Sequence, residues 1–149
     1  MSAPSDRRFT LDGVELPFEE GDTVMSAAHR AGHQLPHLCW HEALGQSGAC
    51  RVCTVRINGR LAAACTTPVS AGAVVENSVP ELDDTRRTLL QMLFVEGNHF
   101  CPSCEKSGDC LLQATAYEMG MTGPKFEELY PHREVDASHP TMWLDLNRC

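Results

Sequence analysis

Cys53-Thr-Val-Arg-Ile57-Asn58-Gly59-Arg60-Leu-Ala-Ala-Ala64-Cys65 is the stretch that decides the fold of this chain. Asn-Gly between two apolar runs favours a two-residue type I′ turn, which sets Ile57 opposite Arg60. Counting back from that pair places Cys53 opposite Ala64, with Cys65 beside it. The sequence therefore predicts a β-hairpin that brings two cysteine thiols together.

Strand and helix signals surround this hairpin. Apolar residues alternate on both sides of Asp12-Gly13, which predicts a second hairpin over residues 7–18. Small apolar residues then recur at helical spacing, with Asp22 as the expected N-cap and Gly32 as the stop. With a short further strand at Val74–Val75, this order predicts a small mixed sheet with one helix packed across it.

A second, helical unit is predicted to start near Pro80. Asp83 or Asp84 is expected to cap a helix that ends at Gly97. Its apolar positions include Met92 and four residues that are interpreted as a core stripe: Leu89, Leu90, Leu93 and Phe94. A shorter helix is predicted after Cys110. Beyond it the sequence indicates an extended connection over 121–140 and a last strand at 142–144.

Composition limits the classes of function. The chain has 149 residues, of which 42% are apolar and 6% aromatic, so the hydrophobic core is modest. A net charge of −8 and the lack of a basic run argue against nucleic acid as a partner. The sequence shows neither a signal peptide nor an apolar run of about 18 residues, so we expect a cytoplasmic protein without a membrane span. In a reducing compartment, eight cysteines indicate metal binding rather than disulfides.

Seven cysteines and one histidine form two groups of four candidate ligands. The groups are Cys39, Cys50, Cys53 and Cys65, and His99, Cys101, Cys104 and Cys110. Four thiolates suit a [2Fe–2S] cluster or structural zinc, and three thiolates with an imidazole suit zinc or a cluster. One close pair with two distant cysteines is the layout of plant-type [2Fe–2S] ferredoxins, although their first gap is four residues and this one is ten.

The two groups carry a family resemblance. Cys39…Gly48-Ala-Cys50-Arg-Val-Cys53…Ala64-Cys65 resembles the N-terminal [2Fe–2S] domain shared by the large iron–sulfur subunit of respiratory complex I, iron-only hydrogenases and the diaphorase small subunit of NAD-reducing soluble nickel–iron hydrogenases. Glu96-Gly-Asn-His99-Phe-Cys101-Pro-Ser-Cys104-Glu-Lys-Ser-Gly-Asp-Cys110-Leu-Leu-Gln113 resembles their [4Fe–4S] motif of one histidine and three cysteines.

The spacing within the second motif indicates which of these families the chain resembles most. Complex I and iron-only hydrogenases usually have three residues between the histidine and the first cysteine, whereas here one residue separates His99 from Cys101. This spacing is most similar to the diaphorase small (iron–sulfur, gamma) subunit of the soluble hydrogenases, or to the related N-terminal region of the NAD-dependent formate dehydrogenase alpha subunit.

The resemblance implies an α+β chain in three parts. A β-grasp [2Fe–2S] ferredoxin domain would occupy residues 1–79, and a small helical [4Fe–4S] domain residues 80–122. Residues 123–149 would be an extended connector leading into a truncated [4Fe–4S] ferredoxin module, of which Cys149 would be the first ligand. The chain is either a fragment or dispenses with that module, and we interpret Cys149 here as a free thiol. The implied [2Fe–2S] ligands are Cys39, Cys50, Cys53 and Cys65, and the implied [4Fe–4S] ligands are His99, Cys101, Cys104 and Cys110.

The implied function is electron transfer, with no catalytic site on this chain. The subunit would pass single electrons between an NAD-binding flavin (diaphorase) subunit and a hydrogenase catalytic subunit in a cytoplasmic hetero-oligomer. The same relay in NAD-dependent formate dehydrogenase or a complex I-like NADH dehydrogenase is the alternative. A zinc-stabilised interaction module without a redox role is the alternative from a different class.

Overall fold

A computed structural model describes residues 7–147 of the chain. The chain divides into two compact units, Met1–Arg86 and Arg87–Cys149. Cys149, interpreted above as a free thiol, lies outside the described residues. Within the described part of the chain, no helix is both long enough and apolar enough to cross a bilayer.

The first unit is built on a five-stranded mixed sheet. Its elements in chain order are β1 (Arg8–Leu11), β2 (Val14–Pro17), α1 (Val24–Arg30), β3 (Trp40–His41), β4 (Gly45–Gln46), β5 (Thr54–Ile57), β6 (Arg60–Ala63) and β7 (Val74–Glu76). The strand order is β2-β1-β7-β5-β6, with β1 and β7 parallel and the other neighbours antiparallel. The predicted mixed sheet is confirmed, and β3 and β4 form a separate two-stranded pair that the sequence did not indicate.

The β5–β6 hairpin has the predicted register. Ile57 pairs with Arg60 across the turn. The two turn residues have φ angles of 48° at Asn58 and 82° at Gly59, the left-handed values that a type I′ turn requires. The pairing continues past the last ladder pair, because the N–H of Ala64 donates to the carbonyl of Cys53 at 3.0 Å.

Helix α1 is capped by Thr23, so the prediction of Asp22 as the N-cap was wrong. The Ser26 N–H donates to Thr23 Oγ1 at 3.1 Å, and the Thr23 N–H donates to Ser26 Oγ at 2.9 Å, which forms a reciprocal capping box. Asp22 instead accepts a hydrogen bond from Ser26 Oγ at 3.0 Å and pairs with Arg30. Its carboxylate still stabilises the helix start, but from one position further out.

The core of the first unit joins the helix to the sheet and to two cysteines. It includes Phe9, Leu11, Val24, Met25, Ala27, Ala28, Cys53, Val55, Cys65 and Val75. Ala27 and Ala28 of α1 are fully buried, and such small side chains let a helix backbone pack closely. Cys53 and Cys65 are therefore held by the main packing of the unit and not by a surface loop.

The remaining elements are α2 (Pro80–Glu96), a 3-10 turn (Cys101–Ser103), α3 (Leu111–Glu118), β8 (Val135–His139) and β9 (Met142–Asp145). Helix α2 begins at Pro80, so the prediction of a cap at Asp83 or Asp84 was wrong. Proline suits the first helical turn because the N–H it lacks has no intrahelical partner there.

The buried face of α2 differs from the predicted stripe. Leu82, Arg86 and Leu90 are buried, and their spacing of four residues places them on one face. Leu90 of the predicted stripe is buried, whereas Met92, an apolar position outside that stripe, is 50% exposed. Position 92 lies two residues after Leu90 and therefore points away from that face.

The chain after α3 forms a further hairpin. The strand predicted at 142–144 is confirmed as β9, and it pairs with β8 in antiparallel register. Strand β8 lies inside the stretch predicted to be an extended connection. All five of its residues are exposed, and Val135 is its single large apolar residue, so the segment carries only a weak strand signal in the sequence.

Candidate metal centres

The first group of candidate ligands lies at the base of the β5–β6 hairpin. Cys53 and Cys65 are 1% and 0% exposed, and Cys39 and Cys50 are half-buried. None of the four forms a disulfide. The hairpin register accounts for the buried pair, and the loop that carries Cys39 and Cys50 completes the group.

The loop before Cys53 turns sharply around the sulfur of Cys39. Gly45, Gly48 and Arg51 all have positive φ angles, of 80°, 71° and 59°. In this conformation the N–H of Cys50 points at Cys39 Sγ, at a distance of 3.5 Å. An N–H directed at a sulfur favours its thiolate form and, in a cluster, the more reduced state.

The pKa values of Cys39, Cys50 and Cys65 are all shifted, and neighbouring thiols of the group contribute to each shift. Burial would raise the pKa of Cys39, but hydrogen bonds from Cys50, Ser47 and Ala49 outweigh it and lower the pKa to about 7. Burial raises the pKa of Cys65 to about 12, with its neighbours Cys53, Cys39 and Cys50 acting in the same direction. A metal bound here would deprotonate the thiols and offset this mutual repulsion.

The second group lies in the loop between α2 and α3. The ring of His99 packs edge-on against Phe94, with ring centroids 5.4 Å apart. Burial lowers the pKa of His99, which favours the neutral imidazole that a metal ligand must be. His99 and Cys101 line one cavity of about 220 Å³, together with Phe94 and other residues.

Backbone and side-chain hydrogen bonds shape the cysteine loop. The N–H of Cys104 donates to the carbonyl of Cys101 at 3.2 Å. The buried amide of Gln113 accepts from the Gly108 N–H at 2.8 Å and donates to Ser107 Oγ at 3.3 Å. Gln113 thus holds the segment between Cys104 and Cys110 against α3. Gln113 is the last residue of the quoted sequence motif, but the spacing of that motif did not indicate that Gln113 would shape the cysteine loop.

The structure brings the two groups together to different degrees. The first group shares one environment, whereas in the second Cys104 is exposed, and neither it nor Cys110 lines the cavity of His99 and Cys101. Between residues 7 and 147, no set of three or more His, Cys, Asp or Glu side chains meets the spacing of a metal-ion site. The donors themselves are free thiols and an imidazole that burial keeps neutral, and this soft set fits zinc or an iron–sulfur cluster.

Two family models match the two groups. Residues 7–80 match a 2Fe-2S iron–sulfur cluster binding domain, which contains the first group. Residues 86–125 match the iron–sulfur binding region of NADH-ubiquinone oxidoreductase-G, which contains the second. The family domains thus bind a [2Fe–2S] and a further iron–sulfur cluster, and the α+β architecture with a ferredoxin-type first domain is confirmed.

Similar proteins carry both regions in the same order. The gamma subunit of the NAD-reducing hydrogenase HoxS of Cupriavidus necator is 47% identical over 142 residues, which are 95% of this chain and 61% of that protein. A subunit of the NADH-quinone oxidoreductase of Rhizobium meliloti is 33% identical over 147 residues, 95% of this chain and 17% of that protein. This chain therefore spans about three fifths of the length of the hydrogenase relative.

A solved structure extends the likeness to three dimensions. A chain in the crystal structure of an NAD+-reducing [NiFe]-hydrogenase in the H2-reduced state superimposes with a TM-score of 0.91 and 56% identity. The superposition covers 96% of this chain and 61% of that one.

Proposed function

Because the chain belongs to the family of iron–sulfur subunits that join a [2Fe–2S] binding domain to the NADH-ubiquinone oxidoreductase-G iron–sulfur region, we propose that it relays single electrons within an NAD-linked oxidoreductase. The electrons would pass between an NAD-binding flavin subunit and a hydrogenase catalytic subunit. One observation supports the proposal most directly. Seven cysteines and one histidine fall into two groups of four, and each group lies in one of the two matched regions.

The proposal assigns the ligands residue by residue. Cys39, Cys50, Cys53 and Cys65 would hold the [2Fe–2S] cluster, and His99, Cys101, Cys104 and Cys110 the [4Fe–4S] cluster. The parts of the chain are proposed as 1–79, 80–122 and 123–149. When bound, each cluster supplies a site that takes up and gives back one electron at a time.

The protein around the first group would exclude water and tune charge. Buried Cys53 and Cys65 lie in the packed core, away from solvent. The N–H of Cys50 directed at Cys39 Sγ provides a fixed positive dipole beside a sulfur. Both features serve a rapid electron relay, since a rigid and dry environment changes little between the two redox states.

The proposed partners form a cytoplasmic hetero-oligomer with this chain. The relative of C. necator is named as one subunit of a hydrogenase, which supports a multi-subunit assembly with a hydrogenase partner. An NAD-dependent formate dehydrogenase or a complex I-like NADH dehydrogenase is the alternative, and the relative of R. meliloti supports the latter. EPR after reduction of the purified complex distinguishes the three: hydrogen reduces the clusters of a hydrogenase, formate those of a formate dehydrogenase, and only NADH those of a complex I-like enzyme.

The test of the relay is anaerobic purification with iron, sulfide and zinc analysis. We expect brown protein with about six iron and six sulfide per chain, two from one cluster and four from the other. Colourless protein with zinc in both groups would instead establish the zinc-stabilised interaction module.

A further inference from the structure

Arg86 is the largest fully buried side chain of the described residues, at 1% exposure. It lies on the buried face of α2, in the first unit. A buried charge is costly unless hydrogen bonds and an opposite charge compensate it. The hydrogen-bond partners of Arg86 and the charges around it therefore determine whether its positive charge also acts on the nearby thiols.

The guanidinium of Arg86 joins three segments of the first unit. Nη1 donates to the carbonyl of Asn77 at 3.0 Å and to Asp83 Oδ1 at 3.2 Å. Nη2 donates to the carbonyl of Thr54 at 2.9 Å and to Asn77 Oδ1 at 2.6 Å. Among residues 7–147, Nε has no hydrogen-bond partner.

The positive charge of Arg86 is only partly balanced. Of the acceptors above, one is a carboxylate, that of Asp83, and its side chain is 45% exposed. The others are a neutral amide and backbone carbonyls. Water screens the exposed carboxylate more strongly than the buried guanidinium, so a net positive field remains inside the unit.

This field lies next to the first group of ligands. Thr54, whose carbonyl accepts from Arg86, directly follows Cys53 in the chain. Burial lowers the pKa of Arg86, while Asp83, Asp12 and the thiol of Cys53 act against that change. The hydrogen bond from Nη2 to the Thr54 carbonyl also places the guanidinium beside the residue that follows Cys53, and the side chains of Arg86 and Cys53 are both buried.

We propose that Arg86 is a positioning residue that holds β5 through Thr54 and whose buried charge raises the reduction potential of the [2Fe–2S] cluster at Cys53. The inference rests on the proposed function, since it takes Cys53 as a ligand. A cluster held by four thiolates gains one further negative charge on reduction, and a buried cation nearby stabilises that state. Removal of the cation must then favour the oxidised state.

The experiment is an EPR-monitored redox titration of the [2Fe–2S] signal in the full chain. In Arg86→Met, we expect the ratio of reduced to oxidised cluster at a fixed potential to fall by about tenfold, which is about 59 mV for a one-electron couple. Arg86→Lys keeps the charge and should lie close to the wild type. Arg60→Met is the matched control, because it removes an arginine charge that is exposed to water and should leave the ratio unchanged.

A second variant separates charge from structure. Asp83→Asn removes the carboxylate that offsets Arg86, so it should raise the reduced fraction, opposite to Arg86→Met. Equal shifts in Arg86→Met and Arg86→Lys, or no shift in either, would overturn the proposal and leave Arg86 a structural residue. If Arg86→Met does not hold the cluster, the test depends on Asp83→Asn. A reduced fraction in Asp83→Asn that equals or is lower than that of the wild type would then overturn the proposal. Wild-type protein without a [2Fe–2S] signal would instead overturn the proposed function, and this inference with it.

Discussion

The imidazole of His99 occupies the space that a side chain at Gly97 would need. A Cβ atom at position 97 would lie 2.5 Å from Nε2 of His99, well inside van der Waals contact. We expect Gly97→Ala to displace the ring and to change the EPR line shape and iron content of the [4Fe–4S] site. Gly123→Ala is the control, because a Cβ there meets nothing within 4 Å. Matching spectra for the two variants would contradict the role of Gly97.

Replacement of the proposed histidine ligand by a thiolate should lower the potential of its cluster. In His99→Cys, the cluster gains about one unit of negative charge, which disfavours a further electron, as the comparison of Rieske with all-cysteine centres indicates. The measurement is a redox titration of the [4Fe–4S] EPR signal. A potential equal to that of the wild type would show that His99 does not bind iron.

The two cluster sites should be independent. Cys104 is exposed in the second group, so Cys104→Ala removes a proposed ligand without disturbing the core of the first unit. We expect the [4Fe–4S] signal to disappear and the [2Fe–2S] signal to keep its intensity. Loss of both signals in the reduced protein would argue against two separate sites.

The loop around Cys39 should not tolerate a side chain at Gly48. Gly48 has a φ of 71°, and a Cβ there would lie 2.8 Å from Thr66 Cγ2. The left-handed conformation costs a residue with a Cβ roughly 1–2 kcal/mol, and the clash adds to this. We expect Gly48→Ala to lower the free energy of unfolding of the metal-free chain in urea by more than that conformational cost alone.

Two further variants separate these contributions. Gly45→Ala carries the same conformational cost at a φ of 80° but meets nothing within 4 Å, so it should be less destabilising than Gly48→Ala. Thr66→Ser removes the clashing methyl group and should recover part of the stability of Gly48→Ala. Equal effects at Gly45 and Gly48 would mean that the contact with Thr66 does not matter.

Asp12 should make the stability of the first unit depend on pH. Partial burial would raise its pKa, but the N–H groups of Asn77 and Ser78, at 2.7 and 3.1 Å, and the Ser78 hydroxyl outweigh this and lower the pKa. A lowered folded pKa means that the stabilisation is complete above the usual value of 3.8 and is lost as pH falls through the folded pKa. Urea unfolding of the metal-free chain at several pH values should show a smaller acid loss for Asp12→Asn. Parallel pH profiles for the two proteins would exclude this role of Asp12.

Local chemistry made the first site predictable. The register that brings Cys53 to Cys65 depends on one turn, and Asn58-Gly59 specifies that turn by its tolerance of left-handed φ angles. The small apolar positions of α1 were equally clear. Such features need no knowledge of distant residues, so the sequence reports them directly.

Features that depend on distant partners were not predictable. An arginine in a helix reads as solvent-facing, yet Arg86 is buried because its acceptors come from positions 9 and 32 residues away. The start of α2 at Pro80 was missed because aspartates three and four residues later are also good caps. Strand β8 was missed because it is defined by its pairing with β9, and the sequence alone does not show that pairing.

If the first four thiols hold the proposed [2Fe–2S] cluster, their uneven burial predicts the order in which they bind it. Cys53 and Cys65 are enclosed by the core, whereas Cys39 and Cys50 reach the surface. A cluster delivered by another protein meets the outer two sulfurs before the inner two. We therefore expect ligand exchange from a donor to begin at Cys39 and Cys50 and to finish at the hairpin, with local opening of the core as the slow step of maturation.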